Sequence, residues 1–148
     1  MVALTSRGSQ YAIRALVHLV RRRASGCCPV RQITIAEAIP HHFLAKLVGR
    51  LTRVGLVDAS KGPGGGIRLA RDPRTIKVLE VIAAVEGPEY LNGCFLGLPQ
   101  CSDEMPCPMH EQWKSLKGRL RTQLEGVTIA ELAASMEGGG GAVPTAAP

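Results

Sequence analysis

Between positions 61 and 66 the chain reads Lys61-Gly62-Pro63-Gly64-Gly65-Gly66, and this turn limits the folds open to it more than any other segment. Four glycines and a proline can neither continue a helix nor fill a strand interior, so the chain reverses there. Leu56-Val57-Asp58-Ala59-Ser60 before the turn reads as a strand. Ile67-Arg68-Leu69-Ala70 after it alternates apolar and basic residues and reads as the returning strand of a hairpin. A phosphate-cradling nucleotide loop is the rival reading, but no Gly-Lys-Ser/Thr follows and the turn leads into a strand rather than a helix.

The segments before the hairpin have helical spacing. Tyr11, Ala12, Ala15, Leu16, Leu19 and Val20 share one side of a helix over 10–23, while Arg14, Arg21, Arg22 and Arg23 fall mostly elsewhere. Ser25-Gly26 ends it, and Cys27-Cys28-Pro29-Val30 forms a loop. A short helix over 31–38 carries Ile33, Ile35 and Ala36 as apolar positions. Ile39-Pro40 breaks the chain, and a second helix runs from about Pro40 to Val54, stopped by Gly55. Phe43, Leu44, Leu47, Val48, Leu51 and Val54 make its apolar face, and Lys46, Arg50 and Arg53 lie on the others. Two helices joined by a tight break and followed by a hairpin make a winged helix-turn-helix. The fold class is therefore mostly α with a small β-hairpin wing.

Asp72-Pro73-Arg74-Thr75 punctuates the chain, and a helix over 76–86 closes the core of this head. Residues 87–110 have little regular pattern. A longer helix over 111–124 follows, with Trp113, Leu116, Leu120, Leu124 and Val127 recurring every three or four residues. A head with its own core leaves that stripe without a partner, and pairing with its copy in a homodimer is the natural solution. Thr128, with Glu131 three positions on, caps a last short helix. The expected organisation is a DNA-binding head at 1–86, a cysteine loop at 87–110, a dimerisation helix and short C-terminal helix at 111–135, and a disordered tail at 136–148.

Charge separates along the same lines. Residues 1–86 hold fourteen Lys/Arg and five Asp/Glu, and residues 87–148 hold four and seven. A basic head attracts polyanions, nucleic acid first among them. The longest apolar stretch, residues 15–20, is far too short to cross a membrane, and the first residues lack the order of a secretory signal. A cytoplasmic location is expected, where five cysteines stay reduced and serve as metal ligands or redox groups rather than disulfides. No nucleophile–base pair, paired acids or second cofactor motif stands out, so an enzyme is not expected.

Cys94, Cys101 and Cys107, with His110 three positions further, lie in a loop with too few apolar residues to fold itself. The set suits tetrahedral zinc or an iron–sulfur cluster, against the alternative of three reduced cysteines that merely pack the loop. Cys27 and Cys28 are adjacent, and adjacent cysteines rarely bind one ion together, so they read as structural.

At this point the residues resemble the Rrf-two family of bacterial winged-helix regulators. The resemblance rests on Leu4-Thr5-Ser6-Arg7-Gly8 leading to Tyr11-Ala12, on Ile39-Pro40 to Leu44, and on Leu51 to Val57. It rests most on Lys61 to Ala70, and it extends through the cysteine segment and Trp113 to Val127-Thr128-Ile129-Ala130-Glu131-Leu132. It implies a homodimer on double-stranded operator DNA and moves the metal expectation from zinc to iron–sulfur. Cys94, Cys101 and Cys107 match the family's cluster cysteines. His110 stands where the iron–sulfur-regulator branch has its histidine ligand, which favours a 2Fe-2S over a 4Fe-4S cluster. The nitric-oxide-sensing branch takes an acidic ligand near the start of the first helix, where this chain has Gly8-Ser9-Gln10. The gap from Cys94 to Cys101 is one residue longer than in the iron–sulfur-regulator branch. The implied function is transcriptional regulation tuned by the cluster; the alternative is a cluster-free thiol- or zinc-responsive regulator on the same fold. A third reading is an accessory protein of cluster assembly with weak DNA affinity.

On this reading the helix after Pro40 enters the major groove, with His41, His42, Ala45 and Lys46 in its N-terminal part, where base contacts usually arise. Lys46, Arg50 and Arg53 face phosphates, and Lys61 carries the wing toward the minor groove. Trp113, Leu116, Leu120 and Leu124 form the dimerisation stripe.

Overall fold

The structure, a computed structural model, describes residues 4–22 and 25–138. Helix α1 (Arg7–Arg21) starts at Ser6, whose hydroxyl accepts the Ser9 amide at 3.2 Å, and buries Ala12, Ala15, Leu16 and Val17. The tail expected to be disordered from 136 is helical as far as Gly138; its remainder and Arg23 of the expected basic flank lie outside the described residues. Helices α2 (Val30–Glu37) and α3 (His41–Arg53) follow, separated by Ala38 in the left-handed conformation (φ 50°) and by Pro40. Pro40 is the cap of α3 rather than its first residue. On α3, Leu44, Leu47 and Leu51 are buried, but Val54, past the last turn, is exposed. On α2 only Ile33 is fully buried. Ile35, read as an apolar core position, points to solvent at 72% exposure, because two residues along a helix turn about 200° and set it opposite the buried Ile33.

The wing is the expected antiparallel hairpin, β1 (Val57–Ser60) with β2 (Gly66–Leu69), in the register Val57 to Leu69 and Ser60 to Gly66. A contact that spacing does not reveal widens it. Cys28, in the loop between α1 and α2, exchanges both backbone hydrogen bonds with Ile67 at 2.7 and 2.8 Å. Cys28 is fully buried there, in keeping with a structural role. A Cβ on Gly66 (φ 140°) would lie 2.1 Å from the Cys28 carbonyl oxygen, so only glycine lets β2 pass this close.

After a 3-10 turn at Pro73–Thr75 come α4 (Val78–Glu86), α5 (His110–Gly126), the longest helix at 17 residues, and α6 (Ile129–Gly138). The helix expected from position 76 begins at Val78, because Ile76 and Lys77 are extended and Lys77 pairs with Thr128. Helix α6 returns to the head rather than extending away from it: it packs on α1, and Ile129 and Ala133 join the same core as Leu16, Leu51 and Ile82. A β-bridge between Lys77 and Thr128 holds the return, with Val78 N donating to Val127 O and Ile129 N to Ile76 O, both at 2.9 Å. A glutamate caps each side. Glu80 accepts the Lys77 amide at 3.1 Å, and Glu131 accepts the Thr128 amide at 2.7 Å while Thr128 Oγ1 accepts the Glu131 amide, the box expected from the sequence. Among the described residues, no helix is long and apolar enough to cross a membrane.

Candidate metal centre and nucleic-acid interface

Helix α3 presents His41, His42, Ala45, Lys46 and Arg53 to solvent, and Lys61 is exposed at the wing turn. Arg50 differs from these. Its guanidinium donates to the Val85 carbonyl at 2.7 Å, so it ties the outer face of α3 to the last turn of α4. An open cleft of about 600 Å³ lies where the start of α1, α3 and the end of α4 meet, with Arg7, His42 and Lys46 on its walls. Ser9, buried at its edge, donates to Glu86 at 2.6 Å and fixes α1 against α4.

The second site is the loop between α4 and α5. It brings the four predicted ligands into two pairs: Cys94 Sγ stands 3.9 Å from Cys107 Sγ, and Cys101 Sγ stands 3.5 Å from His110 Nδ1. His110 is the first residue of α5, is 4% exposed, and is anchored by its amide to the Cys107 carbonyl at 2.9 Å. Its Nε2 meets Asp103 at 2.8 Å, and Lys114 Nζ holds both oxygens of that carboxylate at 2.7 and 2.9 Å. The Lys114 and then His110 bonds keep the Asp103 carboxyl below the usual carboxylate range. Backbone amides of Leu98, Leu96 and Gly97 point at Cys94 and, with a smaller contribution from the Cys107 side chain, hold its thiol below the ordinary value. Lys117 Nζ lies 3.5 Å from Cys101 Sγ and 3.2 Å from the Gly93 carbonyl, and sits over the Trp113 ring.

These residues fit a thiolate-bound metal group. Two ligands on one tetrahedral ion with metal–sulfur bonds of about 2.3 Å stand about 3.8 Å apart, and a sulfur and an imidazole nitrogen about 3.5 Å apart. Both pairs match such an edge. Amides aimed at one sulfur and an ammonium beside another offset the charge of a thiolate set. Cys94, Cys101, Cys107 and His110 would hold the group.

The stripe of α5 divides in two. Leu124 and Val127 pack on the head core, and Leu116 is exposed. Trp113 turns toward the loop: its Nε1 donates to the Gly93 carbonyl at 2.9 Å and its ring meets Phe95 edge-on at 5.5 Å between centroids. Sequence spacing did not single out Asp103, Lys114, Lys117 or Gly93. The first two are polar residues eleven apart, one in a loop, with no periodicity to join them.

Residues 5–135 match the Rrf2 family, described as iron-dependent transcriptional regulators. The chain belongs to the Rrf2 family. Rrf2 relatives include the HTH-type transcriptional regulator IscR of Photobacterium profundum, 35% identical over 87% of this chain and 74% of that protein. IscR of Escherichia coli O1:K1 / APEC is 34% identical over 90% of this chain and 82% of its own length. Among solved structures, the fold is shared with T. potens IscR (TM-score 0.73, 23% identity, 93% of this chain and 91% of that one). It is also shared with CymR (YrzC), the global cysteine regulator of B. subtilis (TM-score 0.75, 22% identity, 91% and 98%). The chain is accordingly an Rrf2-type, DNA-binding transcriptional regulator and not an enzyme.

Proposed function

We propose that this Rrf2 regulator works in the cytoplasm as a homodimer on operator DNA and that an iron–sulfur cluster, 2Fe-2S in type, tunes its grip. The observation that carries the reading is the two-plus-two arrangement of Cys94 with Cys107 and Cys101 with His110. A two-iron cluster needs two protein ligands on each iron, and three cysteines with one histidine supply them. Its redox state and lability are what the cluster contributes when bound.

The chain's own residues do the rest. The N-terminal part of α3 enters the major groove, with His41, His42, Ala45 and Lys46 at the bases and Lys46 and Arg53 toward phosphates. Lys61 brings the wing to the minor groove. Of the expected stripe, Leu116 and Leu120 offer the contact with the second subunit, while Leu124 is engaged by the head core and Trp113 by the loop. The loop leads from the end of α4, where Arg50 of the recognition helix is bonded, to the start of α5. An ordered loop therefore fixes how the head meets the dimer helix, and so the spacing of two recognition helices on half-sites about one helical turn apart.

Anaerobic purification with iron, sulfide and absorption measurements, together with a native mass spectrum, tests this. Coloured dimer with two irons and two sulfides per subunit is expected, along with loss of colour in Cys101→Ala. Colourless protein lacking iron rejects the reading.

A cluster-free thiol or zinc regulator is the second reading, favoured by the ionisable Cys94 beside Cys107. It requires iron-free protein whose DNA affinity changes with thiol oxidation or zinc.

A further inference from the structure

We infer that Asp103 is the positioning residue for His110, fixing the tautomer that leaves Nδ1 without hydrogen and turned to Cys101, so that the ring joins the ligand set through Nδ1. This rests on the proposed metal centre and adds to it a residue that no spacing argument supplies.

A ring only 4% exposed has to satisfy both nitrogens within the protein. Nε2 lies 2.8 Å from a carboxylate oxygen, and an ionised carboxylate only accepts. Lys114 spans both oxygens of that carboxylate and keeps it a pure acceptor. The ring hydrogen is therefore on Nε2. A metal ligand has to be the neutral imidazole, which has one such hydrogen, so Nδ1 is the nitrogen left with a lone pair, and it faces Cys101 Sγ at 3.5 Å. Binding a metal would release a thiol proton to solvent and none from the ring, and Cys101 Sγ and His110 Nδ1 are the atoms that would hold it. A carboxylate on the far nitrogen is the arrangement that orients histidine ligands in metalloproteins generally. Here α5 carries both the ligand and the clamp: Lys114 stands four residues after His110, on the same helix face, and Asp103 comes from the loop to meet both.

The experiment uses the full chain. Long-range proton–nitrogen spectra of metal-free, nitrogen-15-labelled protein read the His110 tautomer, assigned by difference from His110→Ala. Wild type is expected to carry its hydrogen on Nε2. Asp103→Ala is expected to lose this single tautomer, and Asp103→Asn, whose carbonyl oxygen still accepts, to recover it. In protein loaded with iron and sulfide, Asp103→Ala is expected to hold iron about tenfold to a hundredfold less tightly against a chelator. Glu111→Gln, at a neighbouring acid, is expected to leave retention unchanged. A hydrogen on Nδ1 in wild type, an unchanged tautomer in Asp103→Ala, or an equal loss of iron in Glu111→Gln overturns the inference. Wild-type protein that never takes up iron and sulfide rejects the cluster reading instead, and the tautomer result still decides whether Asp103 orients the ring.

Discussion

Arg50 Nη1 donates to the Val85 carbonyl at 2.7 Å, so one arm of a cation on the outer face of α3 is held by the protein itself. Arg50→Ala is expected to cost about 1 kcal/mol of stability, the value of one such bond. It should leave the salt dependence of DNA affinity unchanged. Arg53→Ala and Lys61→Ala are each expected to flatten that dependence by about one unit, with little change in stability. Denaturant titrations and binding curves across salt concentrations read both effects.

Two glycines make a paired test of the backbone. Gly66→Ala would drive a Cβ into the Cys28 carbonyl at a positive φ, and is expected to cost more than about 2 kcal/mol and to weaken DNA binding by detaching the wing. Gly118 sits inside α5, off the Trp113–Leu124 stripe, with open space around its Cα. Gly118→Ala is expected to stabilise by about 0.5–1 kcal/mol. Midpoints of urea unfolding distinguish the two.

The capping glutamates predict a response to acid. Burial raises the Glu80 carboxyl, but the Lys77 amide and Arg71 outweigh it, and the net shift is downward. The amide and then the hydroxyl of Thr128 lower Glu131. A carboxyl whose folded value lies below its unfolded one, about 4.3, stabilises fully above that pH and stops doing so as pH falls through the folded value. Glu131→Gln is therefore expected to melt earlier than wild type at pH 7, with the gap closing below about pH 4. Thermal melts at several pH values follow it.

The cysteines should react unequally in metal-free protein. Burial pushes the Cys28 thiol up, and Cys28 is fully enclosed, while loop amides lower Cys94. Iodoacetamide at neutral pH is expected to label Cys94 well before Cys28, which reacts only on unfolding. Mass mapping over time shows the order.

The head was legible because its signals are local. The stripe from Ala12 to Leu16, the leucines of α3 and the glycine turn each declare a periodicity or a reversal within a few residues. The Thr128–Glu131 cap was legible for the same reason. Contacts between distant segments were not. Nothing in Cys28 announces that it pairs with Ile67, nor in Ile129 that it returns to α1. The ligand positions Cys94, Cys101, Cys107 and His110 could be named from residue type and spacing, but their sorting into pairs needed three dimensions. So did Asp103, an acid that stays largely exposed while the fold sets one of its oxygens against a buried ring. Ile35 was misread although its spacing places it: two residues on from the buried Ile33 is the opposite side of a helix.

Lys77 and Thr128 touch and α4 stays in the head core, so the chain from residue 87 through most of α5 is an excursion that returns to the head at this doorway. Lengthening or shortening such a detour does not move the ground it starts from, and the entropy of closing a longer one rises only slowly. The span from Cys94 to Cys101 is thus free to gain or lose a residue without disturbing the groove-reading surface.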